Sequence, residues 1–232
     1  MTRETSTRET PLRKGEETRA IILEAALRQA SQSGFEALTI GSLAETTGLS
    51  KSGLFAHFGS KEELQIATLE EAVRRYIEFV FVPAIKQPRG LPRLRALFEN
   101  WLVWTDRTDL PGSCPIQTAS VEFDDQPGPV RDAVVRQQRR LEIEVTNTVQ
   151  MAIDSGEFSA DCDPHQFTFE LLGFLLVFYQ ARHLLGETSA SRRARTGFER
   201  LVSAYSSRST KPRSLPARKG RAPRRSAAKS TK

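Results

Sequence analysis

The chain has 232 residues, of which 38% are hydrophobic, and it carries a formal net charge of +6 at pH 7. A chain of this length can bury a sizeable core without disulfides or metals. No apolar run approaches the roughly 18 to 20 residues that cross a bilayer, and the polar amino terminus lacks the apolar stretch of a secretion signal. Its two cysteines, Cys114 and Cys162, are too few for a disulfide framework. We therefore expect a cytoplasmic protein of one or two domains.

The charge is concentrated at the carboxyl terminus. Residues 207–232 contain ten Lys or Arg and no acidic residue, so residues 1–206 carry −4 against +6 for the whole chain. This segment is rich in Pro, Ser and Ala and buries too little to offset its ordering entropy. We expect a disordered basic tail whose affinity for polyanions is salt-sensitive and independent of sequence. A purely solubilising tail stays an alternative. Residues 1–16 are expected to form a flexible arm.

Two helices and a glycine turn are predicted next. The first helix is expected over residues 17–33, where an apolar face runs up to a glycine. A second helix follows, because Ile40, Leu43 and Ala44 repeat at spacings of three and four. Gly48 then supplies a tight turn, since glycine alone enters left-handed backbone space at low cost.

A third helix begins after Ser50, which suits the N-cap position. Its Leu54 and Phe58 point back toward the core, which leaves an outer face of small, polar and basic side chains. Such a face can enter a major groove, where a bulky face would clash. Ser60 and Glu63 form a capping box that starts a fourth helix. The segment is therefore predicted to be a DNA-reading helix-turn-helix.

Together with Thr18-Arg19, the run 22–26 and Gly34-Phe35, the string 39–64 resembles the amino-terminal domain of the TetR/AcrR family of bacterial transcriptional regulators. The resemblance implies an all-α, nine-helix homodimer that represses transcription and releases its operator when a small ligand binds. The division it implies is a three-helix DNA-binding domain over residues 17–64 and a helical ligand-binding and dimerisation domain over residues 65–206.

Chemistry and position assign the DNA contacts to seven residues: Thr39, Ser50, Lys51, Ser52, Gly53, His57 and Lys61. Hydroxyls, cations and exposed amides of this kind hold phosphates and base edges. Structural roles stay open for Thr39 as a helix cap and for His57 as a core hydrogen-bond partner, whereas Lys51 and Lys61 have no evident packing role. At Phe55 many family members carry a tyrosine, so one phosphate-bonding hydroxyl is missing.

The rest of the chain up to the tail reads as helices, without internal repeats or strand patterns. They are expected over residues 61–81, from Leu91, after Cys114, from Pro129, over residues 163–185 and over residues 189–205. The eighth helix is apolar nearly all round and must be covered nearly all round. We expect a partner subunit to cover it, in a homodimer through the eighth and ninth helices with Phe174 or Phe178 near the seam. A buried central helix in a monomer is the alternative.

A ligand pocket is expected between the fourth, fifth, seventh and eighth helices. Its candidate walls are aromatic and its candidate anchors polar: Phe98, Trp101, Trp104, Phe178 and Tyr179, with Gln117 and His183. Such walls favour an apolar or aromatic effector, although an aromatic stripe at helical spacing is more often plain core.

Catalytic and metal sites are not predicted. Asp161, Cys162, Asp163 and His165 are possible metal ligands, but Asp163 is better used as the N-cap of the eighth helix, and we expect no metal, cofactor or enzymatic activity. The favoured function is a ligand-responsive, sequence-specific repressor of transcription. The alternative is a nucleic-acid-coating or architectural protein in which the basic tail dominates.

Overall fold

The computed structural model describes residues 11–105 and 110–207, and within these ranges the protein is all-helical. The one strand-like feature there is an isolated antiparallel bridge between Phe158 and Ser206. The expected fold class is confirmed. No helix in the described ranges is long and apolar enough to cross a membrane. The basic tail, apart from Ser207, and the first ten residues lie outside the described residues.

Nine helices follow one another along the described ranges: α1 Pro11–Ser33, α2 Ile40–Thr47, α3 Lys51–Phe58, α4 Lys61–Tyr76, α5 Leu91–Thr105, α6 Pro115–Glu122, α7 Pro129–Asp154, α8 Pro164–Tyr179 and α9 Ala190–Tyr205. Two of them continue into π-helical turns, at Ile77–Phe81 after α4 and at Gln180–Leu184 after α8. A last α-helical turn, Val82–Ala84, follows the first of these.

The first helix begins at Pro11, so the expected start near residue 17 is wrong by six residues. Proline fits the first turn of a helix, because its missing N–H would have no partner there and its φ is already helical. The helix then runs through Gly15 without a break, although glycine in a helix interior is unfavourable. The predicted flexible arm is thus helical over residues 11–16.

We call the segment from α1 to α3 the head. Its glycine turn and its helix caps are as expected. Gly48 adopts φ 70° and ψ 13°, the left-handed conformation that lets α2 turn into α3. The side chains of Thr39, Ser50 and Ser60 each accept a hydrogen bond from the backbone N–H three residues later, at 3.0 to 3.1 Å. The starts of α2, α3 and α4 are therefore each fixed by a local side-chain bond.

The core of the head does not end where the helix-turn-helix ends. Phe35, Leu43 and Leu54 are fully buried in a cluster that also contains Ala119 of α6 and Val130 of α7. A second cluster joins α5, α7, α8 and α9. The head is therefore anchored on the bundle through buried side chains of α6 and α7.

One face of α8 and its π-helical turn remains exposed although it is apolar. Phe169, Val177 and Leu184 are 74%, 63% and 78% exposed. We call this face the α8 stripe: Phe169, Gly173, Leu176, Val177 and Leu184. The rings of Phe174 and Phe178 both contact other residues of the same chain, and the expectation that one of them lies near a subunit seam stays a prediction. Phe178 is buried, and the ring of Phe174 packs beside Gly197 of α9.

The Gly48 turn yields a stability prediction. Replacing Gly48 by Ala should lower the free energy of unfolding by about 1 to 2 kcal/mol, because a Cβ disfavours left-handed backbone. The added Cβ would meet no atom within 4 Å, so the effect is purely conformational. Urea denaturation measures it.

The matched control is Gly15→Ala, a helical glycine whose Cβ would also stand in open space. This change should leave stability unchanged or raise it by up to about 1 kcal/mol. Equal effects of the two substitutions would contradict the assignment of Gly48 to a strained turn.

Candidate DNA-binding surface and ligand cavity

The amino-terminal ends of α2 and α3 lie side by side on the surface of the head. Lys51, in the first turn of α3, places its ammonium beside the first turn of α2: a Cβ on Gly41 would stand 3.9 Å from Lys51 Nζ. Exposed Thr39 immediately precedes α2. The positive end of a short helix and a lysine thus share one surface, a combination that suits a phosphate.

The first turn of α3 presents the small and basic side chains that the sequence indicates. Lys51 and Ser52 are exposed, and half-buried Gly53 follows them. Ser50 is exposed too, but its hydroxyl already accepts from Gly53 N at 3.1 Å and contacts Ser52 Oγ at 3.2 Å. One turn further, the ring of Phe55 is 56% exposed. The outer face of α3 is therefore small at its start and aromatic at its middle.

The remaining predicted DNA contacts have intramolecular neighbours. The Thr39 hydroxyl caps α2 through Ser42 N at 3.0 Å, and the half-buried His57 ring lies 6.3 Å from the ring of Phe58. Lys61 Nζ donates to the carbonyl oxygen of Glu36 at 2.8 Å and pairs with its carboxylate at 3.5 Å. The expectation that Lys61 has no packing role is wrong, because this lysine ties the start of α4 to the loop before α2.

A cavity of about 460 Å³ lies in the bundle, and side chains of α4, α5, α6, α7 and α8 line it. Four of the seven predicted ligand residues are among them: Trp101, Trp104, Gln117 and Tyr179. The expected set of helices is thus extended by α6, which contributes Gln117 and Ser120. Most of the wall is apolar or aromatic.

The other three predicted ligand residues do not line this cavity. Phe98 stacks face to face on Phe198 of α9 at 4.2 Å, on a different side of α5 from Trp101. Phe178 is 3% exposed in the core of the bundle. His183 is exposed in the π-helical turn after α8, with its ring 4.7 Å from that of Tyr179.

Sequence reasoning missed part of the polar wall. Gln137, Gln138 and Glu144 of α7 line the cavity, and Gln138 Nε2 donates to Ser120 Oγ at 2.6 Å. The signal was present, because Gln137, Leu141 and Glu144 lie at spacings of four and three, and so share a helical face. Periodicity alone does not distinguish such a cavity-lining face from a face buried in plain core.

One part of the cavity wall brings the polar groups of two aromatic residues to half-buried Cys114. The indole N–H of Trp104 donates to Cys114 Sγ at 3.4 Å, and the backbone N–H of Cys114 donates to the Tyr179 hydroxyl at 3.2 Å. Burial raises the pKa of Tyr179 above its usual value and that of Tyr76 well above it. Both phenols are therefore neutral at physiological pH.

The wall of the cavity is fastened directly to the head. We call the contact the α1–α6 joint: Ser31, Phe35, Gly112, Ser113 and Glu122. Ser31 accepts twice, from Gly112 N at its hydroxyl (2.9 Å) and from Ser113 N at its carbonyl (2.8 Å). Glu122 Oε2 accepts from Phe35 N at 2.6 Å. A Cβ on Gly112 would stand only 2.1 Å from Ser31 O, so the two segments meet backbone to backbone.

The acidic and cysteine cluster before α8 has a structural role. The Asp163 carboxylate accepts from His165 N at 2.9 Å and Gln166 N at 3.2 Å, which makes it the N-cap of α8, as expected. Cys162 is buried, and burial raises the pKa of its thiol to about 11. In the part of the chain that the structure describes, no three His, Cys, Asp or Glu side chains are grouped as a metal would require.

An exposed helix-turn-helix fastened to a helical bundle with an internal cavity defines the class of helix-turn-helix regulatory proteins. Two family models agree: "Bacterial regulatory proteins, tetR family" matches residues 22–68, and "Tetracyclin repressor-like, C-terminal domain" matches residues 90–198. The chain belongs to the TetR family and is a transcriptional regulator.

Among curated proteins, the chain is similar to the HTH-type transcriptional repressors AcnR of Corynebacterium efficiens and Corynebacterium glutamicum. Each is 41% identical over 63 residues, which is 27% of this chain and 34% of the relative. The match therefore spans about a third of the length of these relatives.

Solved structures share the fold over most of the chain. A TetR transcriptional regulator from Chloroflexus aurantiacus J-10-FL is 24% identical, with a TM-score of 0.72 over 82% of this chain and 94% of that one. A TetR-family regulator from Cytophaga hutchinsonii reaches a TM-score of 0.73 at 18% identity, over 86% and 98%. AibR, in complex with isovaleryl coenzyme A and operator DNA, reaches 0.62 at 22% identity, over 82% and 97%.

The α1–α6 joint can be tested by stability. Replacing Glu122 by Ala should lower the free energy of unfolding by about 1 to 3 kcal/mol, because the N–H of Phe35 loses its acceptor. The control is Asp125→Ala, an exposed carboxylate three residues on, which should change stability by less than about 0.5 kcal/mol. Urea denaturation compares the two, and equal small effects would show that the joint contributes nothing to stability.

Proposed function

We propose that this protein is a repressor that binds an inverted-repeat operator as a homodimer and is released when a small, mainly apolar effector enters the cavity. The observation that carries the proposal is the α1–α6 joint, because it attaches the cavity wall to the DNA-reading head. AibR, which shares the fold, was solved with both a small molecule and operator DNA.

In the proposed DNA complex, the first turn of α3 enters the major groove. Ser52 and Gly53 come close to the bases, since neither is bulky, and Ser50 and His57 flank them. Lys51 and the amino-terminal end of α2 with Thr39 hold a phosphate. The positive end of α2 repels the Lys51 ammonium beside it, and an anion between them removes that repulsion. Lys61, occupied by Glu36, serves mainly to position α4.

The proposed dimer forms through α8 and α9. An exposed apolar face such as the α8 stripe marks an interaction surface, because water contact with it is unfavourable. A second copy of the chain offers the same stripe, and a two-fold axis places the two copies together in a self-complementary interface. The two recognition helices then face two half-sites on one side of the duplex.

The proposed release of DNA begins in the cavity wall. Cys114, Gln117 and Ser120 line the cavity at the start and middle of α6, and Glu122 ends that helix. A ligand that shifts α6 must either move Phe35 with it or break its hydrogen bond to Glu122. In both cases the head changes its position relative to the bundle. A ligand acts in this way only through its different affinity for the two states.

DNA recognition can be tested on a duplex that the wild-type protein selects from random oligonucleotides, beside a shuffled duplex. Gly53→Glu should abolish selective binding, because a bulky anion then occupies the groove-facing surface. The fold should survive, since a Cβ at Gly53 meets only Ser50 Oγ, at 3.1 Å. If the Lys51 side chain contacts a base, Lys51→Ala should weaken binding to the selected duplex by about 1 to 3 kcal/mol. If it contacts a phosphate, the same substitution should weaken binding to both duplexes equally.

Gln87→Glu provides the matched control, since it introduces the same charge at an exposed position between α4 and α5, outside the head and the proposed dimer helices. Fluorescence anisotropy should show wild-type affinity for this variant. Unchanged affinity of Gly53→Glu would contradict the proposed recognition helix. Equal affinity of the wild type for selected and shuffled duplexes would instead support the nucleic-acid-coating alternative.

The dimer can be tested with a charge in the α8 stripe. Phe169→Glu should yield a folded monomer at micromolar concentration, because the ring is 74% exposed within one chain and its loss leaves the core intact. Val121→Glu, at a 64% exposed position on α6, should remain dimeric like the wild type. Sedimentation velocity distinguishes these outcomes. A monomeric wild type, or a dimeric Phe169→Glu protein, would contradict the proposed interface.

A further inference from the structure

The hydroxyl of Tyr76 is buried without a hydrogen-bond partner. Tyr76 is 6% exposed, and its hydroxyl oxygen is one of two buried side-chain polar atoms in the described residues that have none. A buried hydroxyl that has given up water without a replacement is unfavourable. Since Tyr76 also lines the cavity, this unsatisfied group points to a ligand atom that completes it.

The surroundings of Tyr76 are aromatic and uncharged. Its ring meets Trp101 at 5.4 Å, Trp104 at 5.5 Å and Phe81 at 5.9 Å, all edge to face. These rings pack against one another and leave no cage of open faces around a cation. They offer instead an apolar aromatic wall, which suits an apolar ligand.

The charges of the described lining residues disfavour a strongly ionic ligand beside Tyr76. Among the described lining residues, the charged ones are Arg140 and Glu144, one helical turn apart on α7 and both exposed. Their opposite charges lie at solvent, whereas the hydroxyl of Tyr76 is buried. A carboxylate placed against Tyr76 would lose its hydration without gaining a cation, which is costly. A neutral acceptor loses far less.

We propose that the effector is a neutral molecule with an apolar body and a carbonyl-type oxygen, and that the Tyr76 hydroxyl donates a hydrogen bond to this oxygen. The inference rests on the proposed function, since it specifies the ligand of the same cavity. The hydroxyl is shielded from water in the free protein, so the ligand parts the side chains over it. The π-helical turn that begins at the next residue, Ile77, is the place where α4 departs from regular helix.

Three probes with one ring system test the proposal: 2-acetylnaphthalene, which is neutral with a carbonyl, 2-ethylnaphthalene, which lacks the oxygen, and 2-naphthoate, which is anionic. Isothermal titration calorimetry measures their affinities for the full chain. Quenching of tryptophan emission locates them, because Trp101 and Trp104 are the two tryptophans of the sequence and both line the cavity.

The acetyl probe should bind the wild type about tenfold more tightly than the ethyl probe, the effect of one hydrogen bond to a previously unsatisfied group. The naphthoate should bind more weakly than the acetyl probe. The Tyr76→Phe protein should bind 2-acetylnaphthalene and 2-ethylnaphthalene with about equal affinity, and its affinity for 2-ethylnaphthalene should equal that of the wild type. The free Tyr76→Phe protein should melt at or above the wild-type temperature, because the hydroxyl makes no bond to lose.

The control variant is Tyr205→Phe, a half-buried tyrosine of α9 outside the cavity, which should keep the full acetyl preference. A preference that survives in Tyr76→Phe, or tighter binding of the naphthoate, overturns this inference. The proposed effector site survives those results, because the probes still bind and quench. Failure of all three probes to bind overturns both the inference and the cavity as an effector site.

Discussion

The contact between the end of α1 and the segment Gly112–Glu122 is the interaction on which the rest of the structure depends. In this contact the carbonyl of Ser31 and the N–H of Phe35 form hydrogen bonds. The contact therefore holds the backbone of the head and not only its side chains. Because buried residues of α6 and α7 also complete the core of the head, the DNA-reading unit and the cavity wall are packed as one body. We propose that a change in the cavity reaches the head through this direct contact.

A second connection runs through α4. Its first half is buried in the head, where Leu64 and Thr68 are fully shielded, and its second half presents Val73 and Tyr76 to the cavity. Ion pairs of Arg75 with Glu71 and with Glu24 of α1 brace the middle of the helix. Regular helix ends immediately beyond, at the π-helical turn. We expect α4 to be stiff on the side of the head and adaptable on the side of the ligand, since π-turns disturb the regular hydrogen-bond ladder.

The sequence was informative wherever a local rule decides the structure. Gly48, the serine caps and the prolines at the starts of α6, α7 and α8 act within a few residues, so the helices and the helix-turn-helix could be predicted. The family and the fold class follow from the same residues, 39–64.

Packing between helices was harder to predict from the sequence. Phe98 and Trp101 lie on one helix, yet Phe98 packs on α9 and Trp101 lines the cavity. Periodicity shows that a face is buried, but not which neighbour covers it. The bond of Lys61 to Glu36 and the unsatisfied hydroxyl of Tyr76 are likewise visible only in three dimensions.

The central claim is that ligand in the cavity alters the contact between α6 and the head. Hydrogen exchange measures it most directly, at the two amides that bridge the contact, Phe35 N–H and Ser113 N–H. The protein is saturated with 2-acetylnaphthalene, or with another ligand shown by tryptophan quenching to occupy the cavity, and exchange is followed in peptides covering these amides. The account predicts faster exchange at both amides when the cavity is filled, with exchange in α9 unchanged. Unaltered exchange at Phe35 and Ser113 in the saturated protein would contradict it.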